Sequence, residues 1–488
     1  MWVYGQKFTL MAFGLVSTAI LARRLSPAEY GLVALSNAIL IFSLLPGRAS
    51  IGSYVIYDHK DGCEERAQAA FWMNMAMVIF SIVLFALALP VIKIYYKEPL
   101  LPMIMGTNIL RFSIEQFGTV PDALIRRNID YFKLVIRDSV LQLIASGLSI
   151  WMALTGWGVW SLILPYLFIA PIQVAVVMWV ARWKPTLSLH MKHWRDIFTY
   201  VGPLIGTNFL GIINTNSDNF LVGTLIGPAG LGIYDRAWRT SNLATDNIVA
   251  VVSDVSMPLL SSMTGDMEKL REAYERMLRL LGIITFPVLI GLFVMADEFV
   301  LTLYGAKWMA VVLPLRILLV FTLRRAIGSP AVIVYNVMGK SKLGLKLSLI
   351  GTPIIVLAVI IGSRFGIIGV AIGMMLARTI WGFVGMYYAG NLIGVSLSKI
   401  LRDEWPPFQA SLIMALIVFA VKHALLFLQV SSPAILVICT LLGGSIYLIL
   451  LATLYKALLE EVLLFLDRLF PSASKFIRSL VLQRKLRV

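Results

Sequence analysis

The feature that most limits this chain is the recurrence of apolar runs long enough to cross a hydrocarbon layer, with little hydrophilic sequence between them. A bilayer core about 30 Å thick needs about 20 residues of helix, and windows of about 19 residues yield about fourteen candidates. They lie at approximately Phe8 to Ala22, Tyr30 to Leu45, Ala69 to Ile92, Leu100 to Leu124, Leu134 to Leu154, Val159 to Val180 and Ile197 to Leu225. The second set lies at approximately Gly230 to Pro258, Leu278 to Met295, Met309 to Val337, Leu343 to Ile361, Ile367 to Leu392, Phe408 to Leu428 and Ala434 to Tyr455. With 59% hydrophobic and 14% charged residues, the chain cannot hide its apolar surface in one aqueous core, so lipid must be its solvent. The polar stretches reach at most about twenty residues, too few for a soluble catalytic domain of about 50 or more. An all-α, polytopic membrane protein is expected.

The formal charge of +16 reports orientation before it reports a nucleic-acid partner, because Lys and Arg accumulate on the cytoplasmic side of short membrane loops. If the N-terminus is cytoplasmic, the basic stretches Arg126 to Arg137, Arg182 to Arg195 and Lys340 to Lys346 all fall inside. That bias predicts an even number of spans with both ends cytoplasmic. The Arg23-Arg24 pair after the first run is no signal-peptide cleavage site, so a retained anchor helix is expected. Its very short polar lead points to a natural start a few residues upstream. Cys63 on a predicted cytoplasmic loop and Cys439 in an apolar run are expected to remain two unpaired thiols.

An internal repeat of about 200 residues organises the runs. LSPAEYGLVA at Leu25 to Ala34 corresponds to IGPAGLGIYD at Ile226 to Asp235, aligning Pro27 with Pro228 and Gly31 with Gly232. Further on, Pro121 corresponds loosely to Pro330, and GVW at Gly158 to GVA at Gly369. Six spans per unit give both halves the same orientation, a parallel repeat of the kind that binds substrate between its halves. The expected divisions are residues 1–195 and 196–398 as six-helix bundles, 399–457 as two added spans, and 458–488 as a basic amphipathic tail on the inner leaflet. Gly202 with Gly206, Gly369 with Gly373, and Gly390 with Gly394 have the small-residue spacing of close helix packing.

RRLSPAEYGLVA after the first run, DNFLVGTLIGPAGLGIYDRA from Asp218 to Ala237, and FPVLIGLFVMADEFVLTLYGAKW from Phe286 to Trp308 resemble the polysaccharide-transporter family. That family is a branch of the multidrug, oligosaccharidyl-lipid and polysaccharide exporter superfamily that includes O-antigen (Wzx-type) flippases. The resemblance implies two six-helix bundles around a central cavity, two further C-terminal helices, and alternating access. It implies as cargo an oligosaccharide on an undecaprenyl diphosphate carrier, crossing the cytoplasmic membrane for surface polysaccharide synthesis.

An ionisable side chain within a span costs about 2.5–3.5 kcal/mol on insertion scales, so such residues should face protein or a watery cavity. They are Arg111 and Glu115; Asp218; Asp235, Arg236, Arg239, Asp246 and Asp254; Arg316, Arg324 and Arg325; and Arg378. Arginine offers a permanently charged fork suited to phosphate oxygens, so its interior excess fits an anionic headgroup better than a cationic drug. The candidates for the cargo's diphosphate are Arg23, Arg24, Arg111, Arg236, Arg239, Arg324, Arg325 and Arg378, with Arg23 and Arg24 either receiving it on exit or simply anchoring the helix end. Arg111 with Glu115 and Asp235 with Arg239 also have the four-residue spacing of same-face ion pairs, and Arg324 with Arg325 could instead snorkel to a membrane face. Asp218, within the polar string that includes Asn214 and Asn219, could couple transport to H+ or Na+ or serve as a packing node. The Trp residues near predicted helix ends read as an interfacial belt.

No GxxxxGK[ST] loop occurs, and His59, His190, His193 and His423 are scattered without metal-ligand spacing. A transporter rather than an enzyme is therefore expected, with no cofactor beyond a coupling ion. Its expected partners are the lipid-linked oligosaccharide, membrane lipids and polysaccharide-assembly proteins, and no nucleic acid. A drug or peptidoglycan-precursor exporter of the same superfamily is the alternative. A membrane polysaccharide polymerase or glycosyltransferase is a third reading, although neither a large outer loop nor an acidic cluster at a membrane face is present.

Overall fold

The computed structural model describes residues 2–57, 63–127 and 131–456; the expected amphipathic tail over 458–488 lies outside them. The described secondary structure is helical, without strands. The chain forms two compact units, one over Trp2–Gly232 and one from Ile233 onward.

The first unit contains α1 (Trp2–Arg24), α2 (Pro27–Tyr57), α3 (Cys63–Tyr96), α4 (Leu101–Gln116), α5 (Thr119–Arg127), α6 (Tyr131–Leu154), α7 (Leu164–Ala181) and α8 (Trp194–Leu225). It ends within the first turn of α9 (Pro228–Ser262). The chemistry of the LSPAE stretch explains how α2 starts. The Ser26 backbone N–H donates to Glu29 Oε2 at 2.7 Å and the Glu29 N–H to Ser26 Oγ at 3.3 Å, a reciprocal cap, while Pro27 sits at the first helical position, where its missing N–H costs nothing. Gly31 and Gly232, the two positions aligned in the sequence repeat, lie against each other's helix starts. A Cβ on Gly31 would fall 1.6 Å from the Pro228 carbonyl oxygen, and one on Gly232 would fall 1.9 Å from that of Pro27. Only glycine permits this approach.

The repeat alone would cut the chain near residue 195, but α8 packs along α2, which places the seventh span in the first compact unit. Among the described residues, a Cβ on Gly202 would meet the Phe198 ring and one on Gly206 nothing within 4 Å.

The second unit contains the rest of α9, then α10 (Met267–Val294), α11 (Ala296–Leu303), α12 (Val312–Gly328), α13 (Ala331–Val337), α14 (Ser341–Ser363), α15 (Gly366–Ile393), α16 (Leu397–Asp403), α17 (Trp405–Phe427) and α18 (Ser432–Thr453). Here α15 packs against both α14 and α12, and α10 against α12 and α17. Glycines bring α14 and α15 close: a Cβ on Gly369 would lie 2.3 Å from the Gly362 carbonyl oxygen, and one on Gly373 would lie 2.6 Å from that of Ala358.

Each unit breaks one expected span in two. The run at Leu100 to Leu124 becomes α4 and α5, interrupted at Phe117 and Gly118. The run at Met309 to Val337 becomes α12 and α13, because Pro330 cannot donate within a helix. Ser329 N–H closes α12 on the Arg325 carbonyl at 2.9 Å, and the Ile333 N–H restarts the helix on the Pro330 carbonyl at 3.0 Å. The break lies one turn beyond Arg324 and Arg325.

Ten described helices or helix pairs are long and apolar enough to span a membrane, against the expected count of about fourteen. Among the remaining runs, α4 has only 16 residues, and α9 carries Asp235, Arg236, Arg239 and Asp246 along its length. Large apolar side chains such as Phe80, Leu87, Leu416 and Leu441 point outward, as expected where the solvent is lipid.

Candidate anion-binding site

Four positions on α9 recur every fourth residue: Tyr234, Trp238, Asn242 and Asp246. This spacing lays them along one slowly rotating face, and α12 and α15 meet that face with arginines. Tyr234 stacks on Trp238 with centroids 6.4 Å apart, and Trp238 stacks on Phe321 of α12 at 5.7 Å and 13°. The Arg378 guanidinium lies 5.2 Å from the Trp238 centroid, and that of Arg324 lies 5.6 Å from the Phe321 centroid. Aromatic faces thus orient two cations.

Arg324 occupies a recess made by absent side chains. A Cβ on Gly382 would fall 2.0 Å from its guanidinium carbon, and one on Gly328 would fall 2.5 Å from Nη1. Its Nη2 donates to the Arg378 carbonyl at 3.1 Å, while its Nε is buried without a hydrogen-bond partner. Arg325, on the next position of α12, is held by two acceptors of α9: Nη1 donates to Asn242 Oδ1, and Nη2 pairs with Asp246 Oδ1 at 2.7 Å. Three guanidinium groups therefore gather here, with Asp246 beside Arg325, and a buried polar atom without a partner among the described residues, as Arg324 Nε is, is costly. An incoming anion would relieve that cost, and arginine forks match phosphate oxygens in geometry.

Within the second unit the structure brings Arg324, Arg325 and Arg378 together and gives Arg236 and Arg239 other neighbours. Arg236 is buried, with its guanidinium 5.5 Å from the Tyr304 centroid and 5.7 Å from that of Trp308. The Tyr304 hydroxyl shares a 2.8 Å hydrogen bond with Thr240. Here the GIYDRA and LYGAKW motifs meet, so Arg236 joins α9 to the chain after α11. Arg239 pairs with Asp235 at 2.7 Å. In the first unit, Arg111 pairs with Glu115 at 2.8 Å and lies 5.1 Å from the Tyr166 ring centroid, while Arg23 and Arg24 are exposed at the end of α1. On α8, Asp218 and Ser217 are buried, with Asn214 and Asn219 half-buried beside them. Among the described residues, no group of three or more His, Cys, Asp or Glu side chains could hold a metal.

Sequence reasoning missed a second charged cluster in the second unit. Lys422 of α17 pairs with Glu298 of α11 at 2.8 Å, each side chain 6% exposed. Lys422 also lies 3.3 Å from Asp297 and donates to the Val294 carbonyl at 3.1 Å, while Arg316 pairs with Asp297 at 2.5 Å. The signal was present: Lys422 carries a full charge inside the run Phe408 to Leu428. Trp238, Phe321 and Gly382 had no such signal, since aromatic residues and glycine are ordinary in spans.

The helical arrangement defines a class, that of the MurJ and MATE fold. It is similar to a solved structure of lipid II flippase MurJ in an inward closed conformation, with a TM-score of 0.74, 16% identity, and coverage of 94% of this chain and 100% of that one. An inward-facing MATE family multidrug transporter of the MOP superfamily gives 0.62 at 17% identity, covering 79% of this chain and 94% of that one. The chain belongs to the polysaccharide biosynthesis protein family, whose profile matches residues 20–313. Among its relatives, the lipopolysaccharide biosynthesis protein WzxC of Escherichia coli K12 is 23% identical over 83% of this chain and 82% of its own length. The teichuronic acid biosynthesis protein TuaB of Bacillus subtilis 168 is 22% identical over 95% and 96%.

Proposed function

We propose that this protein is a flippase that moves lipid-linked oligosaccharide, carried on undecaprenyl diphosphate, across the cytoplasmic membrane by alternating access. The observation that carries this reading is the gathering of Arg324, Arg325 and Arg378 around the Trp238–Phe321 stack, a surplus of fixed positive charge suited to a diphosphate. The names of WzxC and TuaB, and of the succinoglycan biosynthesis transport protein ExoT of Rhizobium meliloti, 24% identical over 61% of this chain, support a saccharide cargo for surface polymer. The protein acts as a transporter rather than an enzyme, with both termini cytoplasmic. Arg23 and Arg24 receive the headgroup on exit, and Asp218 with Asn214 and Asn219 couples transport to H+ or Na+. A lipid II cargo is the second reading, favoured by the similarity in fold to MurJ.

Deleting the gene in its native host tests the proposal. Loss of surface polysaccharide with intact lipid-linked units stranded on the cytoplasmic face is the expected result, restored by the wild-type gene. Unchanged polymer together with arrested peptidoglycan synthesis would move the assignment to lipid II, and missing or truncated lipid-linked units would point to an enzyme acting earlier.

A further inference from the structure

Asp246 is placed oddly for a site that attracts anions. Its carboxylate pairs with Arg325 at 2.7 Å while 56% of its side chain is exposed. Asn242, one turn earlier on α9, holds the other arm of the same fork. Asn242 is itself fixed, because its amide nitrogen donates to the Trp238 carbonyl at 2.9 Å and lies 3.2 Å from Ser241 Oγ, which leaves its oxygen turned to Arg325. The neutral acceptor is thus buried and rigid, while the charged one is exposed. If Arg325 needed only an anchor, Asn242 would supply it.

We propose that Asp246 is a built-in counter-ion that limits how tightly the arginine cluster holds an anion. This rests on the anion-binding reading of the cluster given above. With Asp246 in place, Arg325 is already neutralised when the headgroup arrives, and the carboxylate repels a phosphate that approaches the neighbouring Arg324. Without that carboxylate, Arg325 and Arg324 together would bind a diphosphate strongly in both access states. A carrier must also release its cargo, so affinity shared equally by both states slows turnover without favouring movement. Asp246 exchanges affinity for release.

The sign of one substitution separates this role from a structural one. The probes are inorganic diphosphate, which reports the headgroup chemistry alone, and undecaprenyl diphosphate in nanodiscs of neutral lipid, which reports the carrier, each titrated against the full-length purified protein. Asp246→Asn keeps the shape and an acceptor for Arg325, and it is expected to tighten both ligands about three- to tenfold, as for loss of a partly exposed charge, while lowering the rate of transport. Asp246→Glu keeps the charge and is expected to bind like the native protein. Arg324→Gln is expected to weaken both ligands. If Asp246→Asn weakens binding or leaves it unchanged while Arg324→Gln weakens it, Asp246 merely anchors Arg325 and the proposal is overturned. If neither Arg324→Gln nor Arg378→Gln alters binding of either probe, the anion site itself is wrong. Tightening of inorganic diphosphate but not of the lipid would overturn the counter-ion role toward the carrier.

Discussion

The second unit holds two groups of charged side chains with opposite balance. Around Lys422, two cations face two carboxylates: Lys422 and Arg316 against Glu298 and Asp297. Around Trp238, Arg324, Arg325 and Arg378 gather, and among the described residues Asp246 pairs with Arg325. The first group is closed, with its charges answered by partners on α11, α12 and α17, and it ties α17 to the rest of the unit. The second is open, since Arg324 keeps a buried Nε without a partner. A balanced group offers a ligand little, whereas an unbalanced one is a site awaiting counter-charge. The difference lies in what surrounds each charge, not in how many charges a helix carries.

Removing one partner from the closed group should produce the largest effect. Lys422→Met alone strands the almost wholly buried Glu298, at a cost of about 3–5 kcal/mol, and should reduce the yield and Tm of the purified protein, whereas Glu298→Gln leaves Lys422 its contact with Asp297 and should cost less. The double substitution Lys422→Met with Glu298→Leu should recover most of that loss; a double variant as unstable as the singles would mean that packing, not charge, holds α17. In the open group the order reverses. Arg324→Gln should leave Tm near the native value yet lower transport about ten- to a hundredfold, the range expected for a charge-assisted hydrogen bond of about 1.5–3 kcal/mol. Gly382→Ala should act in the same direction and less strongly, because the new methyl evicts only the flexible end of Arg324 from its recess. Full transport in Gly382→Ala would remove the recess from the argument. The smallest effect belongs to the first unit. Arg111→Gln with Glu115→Gln deletes both members of a four-residue pair worth about 0.2–0.5 kcal/mol, and transport at equal protein level should change less than for Arg324→Gln. A comparable loss would bring Arg111 into the anion path.

Much of the fold was legible because lipid imposes strong rules on sequence. Apolar runs marked the helices, and Pro27 with Gly31 and Pro228 with Gly232 marked the helix starts that the structure places against one another. The breaks at Gly118 and Pro330 were less visible, since hydropathy averages over a window and cannot see a single interrupted hydrogen bond. The site was legible only in part. The arginines stood out because charge in a span is costly, and spacing marked Arg239 as a partner for Asp235, yet nothing in the sequence separated Arg236 from Arg378 or grouped Arg378 with Arg324.

The sequence by itself determined the solvent, the helical class, the family and the short list of charged residues, because each follows from local composition and motif. Only the tertiary structure decided which charges are answered. Arg236 lies against Tyr304 and Trp308, and Arg324 gains the company of Arg378 from a helix 54 positions away. Charge balance depends on neighbours in space, and packing of α9, α12 and α15 sets those neighbours at distances that no spacing along the chain specifies.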